Sequence, residues 1–246
     1  MTPGLVSCII PVFNGERYLD ETIGSVLAQT YAPTEPIVVD DGSTDGTRDL
    51  VQAYGARVRY LHQPNAGHAA ARNRGLAEAT GELVAFLDAD DLWHREKLER
   101  QMTRFRARPD LDVCVTYVSN FWSPDLGGAD RPPDDPDVTR PVPGYRSVTL
   151  LARMRAFDTV GPFDPALRHG NDTDWFLRAA ECGLVMELLP DVLVRRRLHT
   201  ANRSRRLAAA SQREYLHIIK ASLDRRRQGS DAAPRPYAFP AGWRRR

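Results

Sequence analysis

Short apolar runs alternate with segments of helical periodicity through the first half of the chain. Residues 6–11 are mostly apolar and read as a strand buried on both faces. Tyr18, Leu19, Ile23, Val26 and Leu27 then recur at three- and four-residue steps, the spacing of a helix that lays one apolar stripe on a sheet. The alternation continues with a strand over 36–40, a helix over 47–54, a strand over 58–62, a helix over 67–79 and a strand over 83–88. Such a series predicts an α/β fold: a mostly parallel central sheet flanked by helices on both faces, with right-handed crossovers.

Beyond Asp91, Leu98, Met102 and Phe105 mark a helix that Pro109 ends, and 113–117 reads as another buried strand. Residues 123–144, rich in Pro, Gly and Asp, are too polar and too long for an ordinary turn; they read as a mobile loop over a site or as a disordered insert. Order returns over 148–157, with a helix opening near Asp172, a strand over 184–188 and a helix over 207–223. Length and pattern together predict one domain over 1–227, in two halves that meet near residue 120. A basic, flexible tail over 228–246 follows.

Charge narrows the classes of partner. Lys and Arg number 34 against 32 Asp and Glu, a formal net charge of +2, so the molecule is not a polycation built for nucleic acid. Basic residues gather late, at 195–197, 203–206, 225–227 and 244–246, where they suit phosphates, an acidic acceptor or peripheral contact with an anionic membrane, or are simply solvated. Cys8, Cys114 and Cys182 are distant from one another and have apolar neighbours, as buried thiols in a reducing compartment do. The sequence begins with no basic leader and cleavage signal, and no apolar run is long enough to span a bilayer, so the expected location is cytoplasmic.

In an open parallel sheet ligands bind beyond the carboxyl ends of the strands, and three strands end there in polar clusters. The first runs into Pro11-Val12-Phe13-Asn14-Gly15-Glu16, the second into Asp40-Asp41-Gly42-Ser43-Thr44-Asp45-Gly46, and the fourth into Asp88-Ala89-Asp90-Asp91. Asp88 and Asp90 alternate on one side of an extended segment, as two ligands of one Mg²⁺ or Mn²⁺ would. Asp40 or Asp41 can accept the imide hydrogen of uracil or thymine, although the same residues also serve as turn and helix caps. Asn65 to Gly67 opens a helix with small residues, and Arg72 in its second turn suits a base or a phosphate.

Taken in order, Cys8-Ile9-Ile10-Pro11-Val12-Phe13-Asn14-Gly15, Val39-Asp40-Asp41-Gly42-Ser43-Thr44-Asp45-Gly46-Thr47, Asn65-Ala66-Gly67 with Ala71-Arg72-Asn73-Arg74-Gly75, and Phe86-Leu87-Asp88-Ala89-Asp90-Asp91 closely resemble family 2 glycosyltransferases of GT-A fold. The resemblance is close over about 5–120 and looser to about 205. It implies an inverting transferase, with a donor half over about 1–120 and an acceptor half over 121–227. The favoured donor is a UDP-sugar, contacted by Pro11, Phe13, Asn14, Glu16, Asp40, Asp41, Asn65, Arg72, Asp88, Ala89, Asp90 and His199. Asp88, Asp90 and His199 would hold the metal, with Arg197 and Arg203 neutralising phosphate charge.

The same resemblance locates the base. Val160-Gly161-Pro162-Phe163-Asp164 precedes Gly170-Asn171-Asp172-Thr173-Asp174-Trp175. Asn171 stands where the family usually has Glu, Asp172 takes the position of the catalytic base, and Asp174 is held in reserve. Trp175 and Phe176 read as packing residues. The acceptor stays open: a glycan, lipid, small molecule or peptide side chain. Two alternatives use similar residues, a sugar nucleotidyltransferase and a non-catalytic nucleotide-sugar binding protein. The first would need a basic, glycine-rich loop where this chain has Phe13-Asn14-Gly15-Glu16.

Overall fold

A computed structural model describes residues 1–124, 136–200 and 208–228. Strand β1 (Thr2–Val12) lies parallel to β2 (Thr34–Asp40), which in turn pairs with β3 (Arg59–His62). On its other side β1 runs parallel to β4 (Gly81–Phe86). Helices α1 (Leu19–Leu27), α2 (Thr47–Gln52) and α3 (His68–Glu78) make the crossovers. The second half adds β5 (Leu92–Trp93), α4 (Lys97–Ala107), β6 (Val113–Trp122), a short helix α5 (Pro136–Thr139), β7 (Val142–Pro143), β8 (Leu151–Arg153), α6 (Met154–Val160), α7 (Asn171–Glu181) and β9 (Met186–Leu198). The last described helix spans Ala208–Gln228. The sheet order is β3-β2-β1-β4-β8-β6-β9-β5, with β7 on β6. The parallel pairs adjoin antiparallel ones at β8, β5 and β7.

Both faces of β1 are buried, as its apolar run predicts. Cys8 and Ile10 look into one apolar layer, together with Leu19, Ile23 and Val26 of α1; Ile9 looks into the other, together with Leu76 of α3. That second layer continues beneath α7 as an aromatic cluster, in which Trp175 stacks on Phe157 at 4.6 Å and Phe86 meets Phe163 edge-on. Trp175 is wholly buried and gives its indole N–H to the Gly161 carbonyl at 3.0 Å, so it is a packing residue.

Strands β6 and β9 run past the 113–117 and 184–188 predicted for them. They pair in parallel from Val113 opposite Met186 to Trp122 opposite Leu198, with irregular register around Tyr117. The polar, arginine-rich stretch in β9 hides this strand from a reading of apolar runs. All three of its arginines are sheet residues, and the Arg195 and Arg197 guanidiniums lie over the Phe121 ring at 4.5 and 4.8 Å. Part of 123–144 is ordered as α5 and β7, while 125–135, 201–207 with Arg203, and 229–246 lie outside the described residues.

Lys97 is fully buried at the start of α4. Its Nζ donates to Gln101 Oε1 at 2.8 Å and lies over the Trp93 ring, with the Cys8 and Cys114 thiols nearby. Burial pulls its pKa down to about 7, against the opposing influence of the two thiols. Between about pH 7 and the ordinary lysine range near 10.5, the unfolded chain therefore binds a proton that the folded chain lacks, so stability rises with pH there. Burial pushes both thiols up to about 12, which reverses the trend once they ionise in the unfolded chain. The Tm of the protein is accordingly expected to climb from pH 7 to about 8.5, and that of Lys97→Met to stay flatter. Equal slopes in differential scanning calorimetry would show that Lys97 is charged in the fold.

Candidate active site

The carboxyl ends of β1, β2 and β4 open into a cleft of about 1350 Å³ that reaches across to α7. Its floor is built by loops that fasten one another. Asn14, at φ 52°, receives the Thr44 N–H on its Oδ1 at 2.8 Å, and its own N–H donates to Ser43 Oγ. Gly42 has φ 82°, and a Cβ there would sit 2.9 Å from the Asn65 nitrogen, so only glycine lets the two loops approach this closely. Asp41 ties the same loops from inside. Its Oδ1 accepts from Gln63 Nε2 and Ala66 N, and its Oδ2 from Gly67 N at 2.8 Å. One lone pair of Oδ2 remains for a ligand.

Farther along the cleft, Arg72 joins the two halves of the protein. It is 2% exposed and reaches from α3 to three side chains: Asp172 Oδ1 at 2.7 Å, Asn171 Oδ1 at 3.1 Å and Asp88 Oδ1 at 3.1 Å. Its guanidinium also lies over the Phe163 ring at 5.2 Å. His68 Nε2 adds a second contact to Asp88 Oδ1 at 3.1 Å. Burial alone would raise the Asp88 carboxyl, but the charges on His68 and Arg72 outweigh it and hold Asp88 well below the usual carboxylate range. Asp172 stands in the first turn of α7, where the helix N-terminus favours an anion, and among the described residues no group bonds its Oδ2.

Asp90 Oδ2 lies 2.9 Å from His199 Nε2, which follows β9 and packs its ring 4.9 Å from Tyr18. Next to it Asp91 is buried and accepts the Arg197 backbone N–H on its Oδ1 at 2.9 Å. Burial, then the neighbouring charges of Asp90 and Asp88, push the Asp91 carboxyl well above its ordinary range. Asp88 is thus held by two cationic partners, whereas Asp91 is buried beside two other acids. The donor set of Asp88, Asp90 and His199 fits a hard divalent cation such as Mg²⁺ or Mn²⁺. Among the described residues no three such groups are gathered closely enough to hold an ion by themselves.

The loop that leads into α7 and Asp172 is held from behind by the last helix. Glu214 accepts the N–H groups of Arg168, His169 and Gly170 at 3.0, 2.7 and 2.6 Å. A Cβ on Gly170 would meet Ile218 at 2.2 Å, so glycine is what lets that helix seat so close. Glu214→Ala is expected to lower turnover about ten- to a hundredfold by loosening Asp172, and to leave nucleotide affinity unchanged. Steady-state kinetics beside calorimetric binding would check this, and a matching loss of affinity would show a general collapse of the cleft instead.

Pro11, Phe13, Asn14, Asp41, Asn65 and Arg72 all line the cleft, as do Asp88, Ala89, Asp90, Asp172 and His199. Asp40 and Glu16 do not. The Asp40 oxygens are taken by Ser43 N at 2.8 Å and the Tyr60 hydroxyl at 2.6 Å, and Glu16 Oε2 caps Gly46 N at 2.6 Å, so both carboxylates brace loops. Asp174 is engaged too: it is 8% exposed and accepts from Arg178 Nε at 2.8 Å. The sequence reading missed His68, Asp91, Asn171 and Glu214 as site residues. The first three stand beside residues it chose, but nothing local marks Glu214.

The model of a family described as Glycosyl transferase family 2 matches residues 7–161, more than half of the chain. An uncharacterized glycosyltransferase of Rickettsia typhi is 33% identical over 208 residues, 80% of this chain and 65% of that one. Among solved structures, residues 1–349 of Staphylococcus aureus TarS in complex with UDP superpose with a TM-score of 0.68 at 21% identity, covering 92% of this chain and 66% of that one. The mannosyltransferase PcManGT of Pyrobaculum calidifontis, in complex with GDP-Man and Mn²⁺, gives 0.66 at 23% identity over 93% and 66%. The chain spans less than two thirds of the length of these relatives.

Proposed function

Because the chain belongs to glycosyl transferase family 2 and has the GT-A fold, we propose that it moves a sugar from a nucleoside diphosphate to an acceptor nucleophile by single displacement, with inversion. The observation that carries this reading is the Asp88–Arg72–Asp172 bridge, which puts a donor-side carboxylate and an acceptor-side carboxylate on one guanidinium. Asp172 Oδ2 accepts the proton of the acceptor as its oxygen bonds to the anomeric carbon and the bond from that carbon to the diphosphate breaks. Arg72 orients Asp172 through its bond to Oδ1 and leaves Oδ2 toward the acceptor. Asp41 accepts the base imide, which favours a uridine donor, and Asn14, Asn65 and the loops they join shape the nucleotide end. Asp88, Asp90 and His199 would hold Mn²⁺ or Mg²⁺. When bound, that ion supplies charge neutralisation to the departing diphosphate.

Thermal denaturation with UDP, GDP, dTDP and CDP, each with Mn²⁺, with Mg²⁺ or with chelator, tests the donor site. UDP with Mn²⁺ is expected to raise the Tm by about 5 °C at a hundredfold excess over Kd, and chelator to remove most of that rise. No shift with any nucleotide would overturn the donor assignment.

A further inference from the structure

Large apolar side chains are exposed at few places, and the last helix carries four of them: Tyr215, Leu216, Ile219 and Leu223, 39 to 68% exposed. Leu216, Ile219 and Leu223 follow one another at three- and four-residue steps and so form a single stripe. The stripe faces away from the protein. The opposite face carries Glu214, buried Ile218 and buried Ser222, whose hydroxyl bonds Glu181.

The exposed charges beside the stripe are basic, with Asp224 half-buried among them. Over 212–227 they are Arg213, Lys220, Arg226 and Arg227, of which Arg226 also lies 3.9 Å from Glu181. Arg225 is engaged inward with Glu181 at 2.6 Å. Helical spacing puts Lys220 and Arg227 along one edge of the stripe and Arg226 along the other. An apolar stripe edged by cations whose stems can run along it is the pattern of a helix lying in the headgroup layer of an anionic bilayer.

We infer that this helix docks the protein on an anionic lipid surface through Leu216, Ile219 and Leu223, with Lys220 and Arg227 meeting the headgroups. Among the described residues no helix is long and apolar enough to cross a membrane, so the contact is peripheral. Tyr215 also lines the cleft, beside Arg146 and Arg168, so docking brings the acceptor end of the cleft to the lipid headgroups.

Co-sedimentation with vesicles of phosphatidylcholine, alone or mixed with phosphatidylglycerol, tests this without nucleotide or acceptor. The protein should bind the mixed vesicles at least about tenfold better, and salt near 0.5 M should abolish the difference. The triple variant Leu216→Ser, Ile219→Ser, Leu223→Ser and the double variant Lys220→Glu, Arg227→Glu should each lose about tenfold or more in partitioning. Both variants should keep the UDP-Mn²⁺ thermal shift, so failure of the donor reading and failure of docking are read separately. Binding to neither vesicle, or equal binding by all variants, overturns the inference. So does a concentration-dependent dimer that the triple variant abolishes, which would assign the stripe to a second copy.

Discussion

Replacing Asp172 by Asn is expected to lower transfer about a thousandfold and to leave the Kd for UDP with Mn²⁺ within about twofold of its starting value. The amide keeps an oxygen for Arg72 NH1, so the bridge from α3 to α7 survives and the cleft keeps its shape. What is lost is the ability to take a proton while the new bond forms. Asp174→Asn gives the contrast. Its carboxylate is engaged by Arg178, which also holds the Val160 and Pro162 carbonyls, so that change should reduce stability more than turnover. Radiolabelled transfer kinetics beside isothermal titration separate the two outcomes. Near-normal turnover in Asp172→Asn would assign the base elsewhere.

Replacing Arg72 by Met has the larger effect on the fold. Its guanidinium is buried, while the Asp88 and Asp172 side chains are 34% and 23% exposed. The variant leaves Asp172 without its Arg72 partner and Asp88 with His68 alone. Removing one partner from a buried ionic group commonly costs 3–5 kcal/mol, and the partial exposure of the acids brings the expected loss to about 3 kcal/mol in urea denaturation. Arg72→Lys should recover little, because one ammonium cannot span Asp88, Asn171 and Asp172 as a planar fork does. A loss below about 1 kcal/mol would mean that water already solvates the two acids in the fold.

The donor half is legible in the sequence because its instructions are local. Apolar runs, turn residues and helix periodicity between residues 6 and 88 each fix one crossover, and the strand ends then place Pro11, Asp41 and Asp88 on one rim. The choice between Asp40 and Asp41 is not legible. It depends on which way a strand end turns, and here Asp40 bonds Tyr60 while Asp41 faces the cleft. Arg72 was chosen for its residue type, but its partners lie on α7 and beyond β4, and no spacing rule relates positions so far apart. Lys97 shows the same limit: its position on an amphipathic helix suggests solvent, whereas the fold closes β1, β6 and Trp93 around it.

The strand that ends just before His199 also sets when the proposed site is complete during synthesis. Asp91 is satisfied by the backbone of Arg197, and Asp90 meets His199, so the acidic turn stays incomplete until β9 has threaded in parallel beside β6. The βαβ units before it can form from near neighbours, while the β6–β9 pairing must close a loop of some seventy residues. At roughly 5–20 residues per second, a nascent chain carries its finished nucleotide loops for several seconds before the wall that completes them leaves the ribosome. If the donor site is the one proposed, the growing polypeptide is expected to bind no donor until almost the whole described sheet exists.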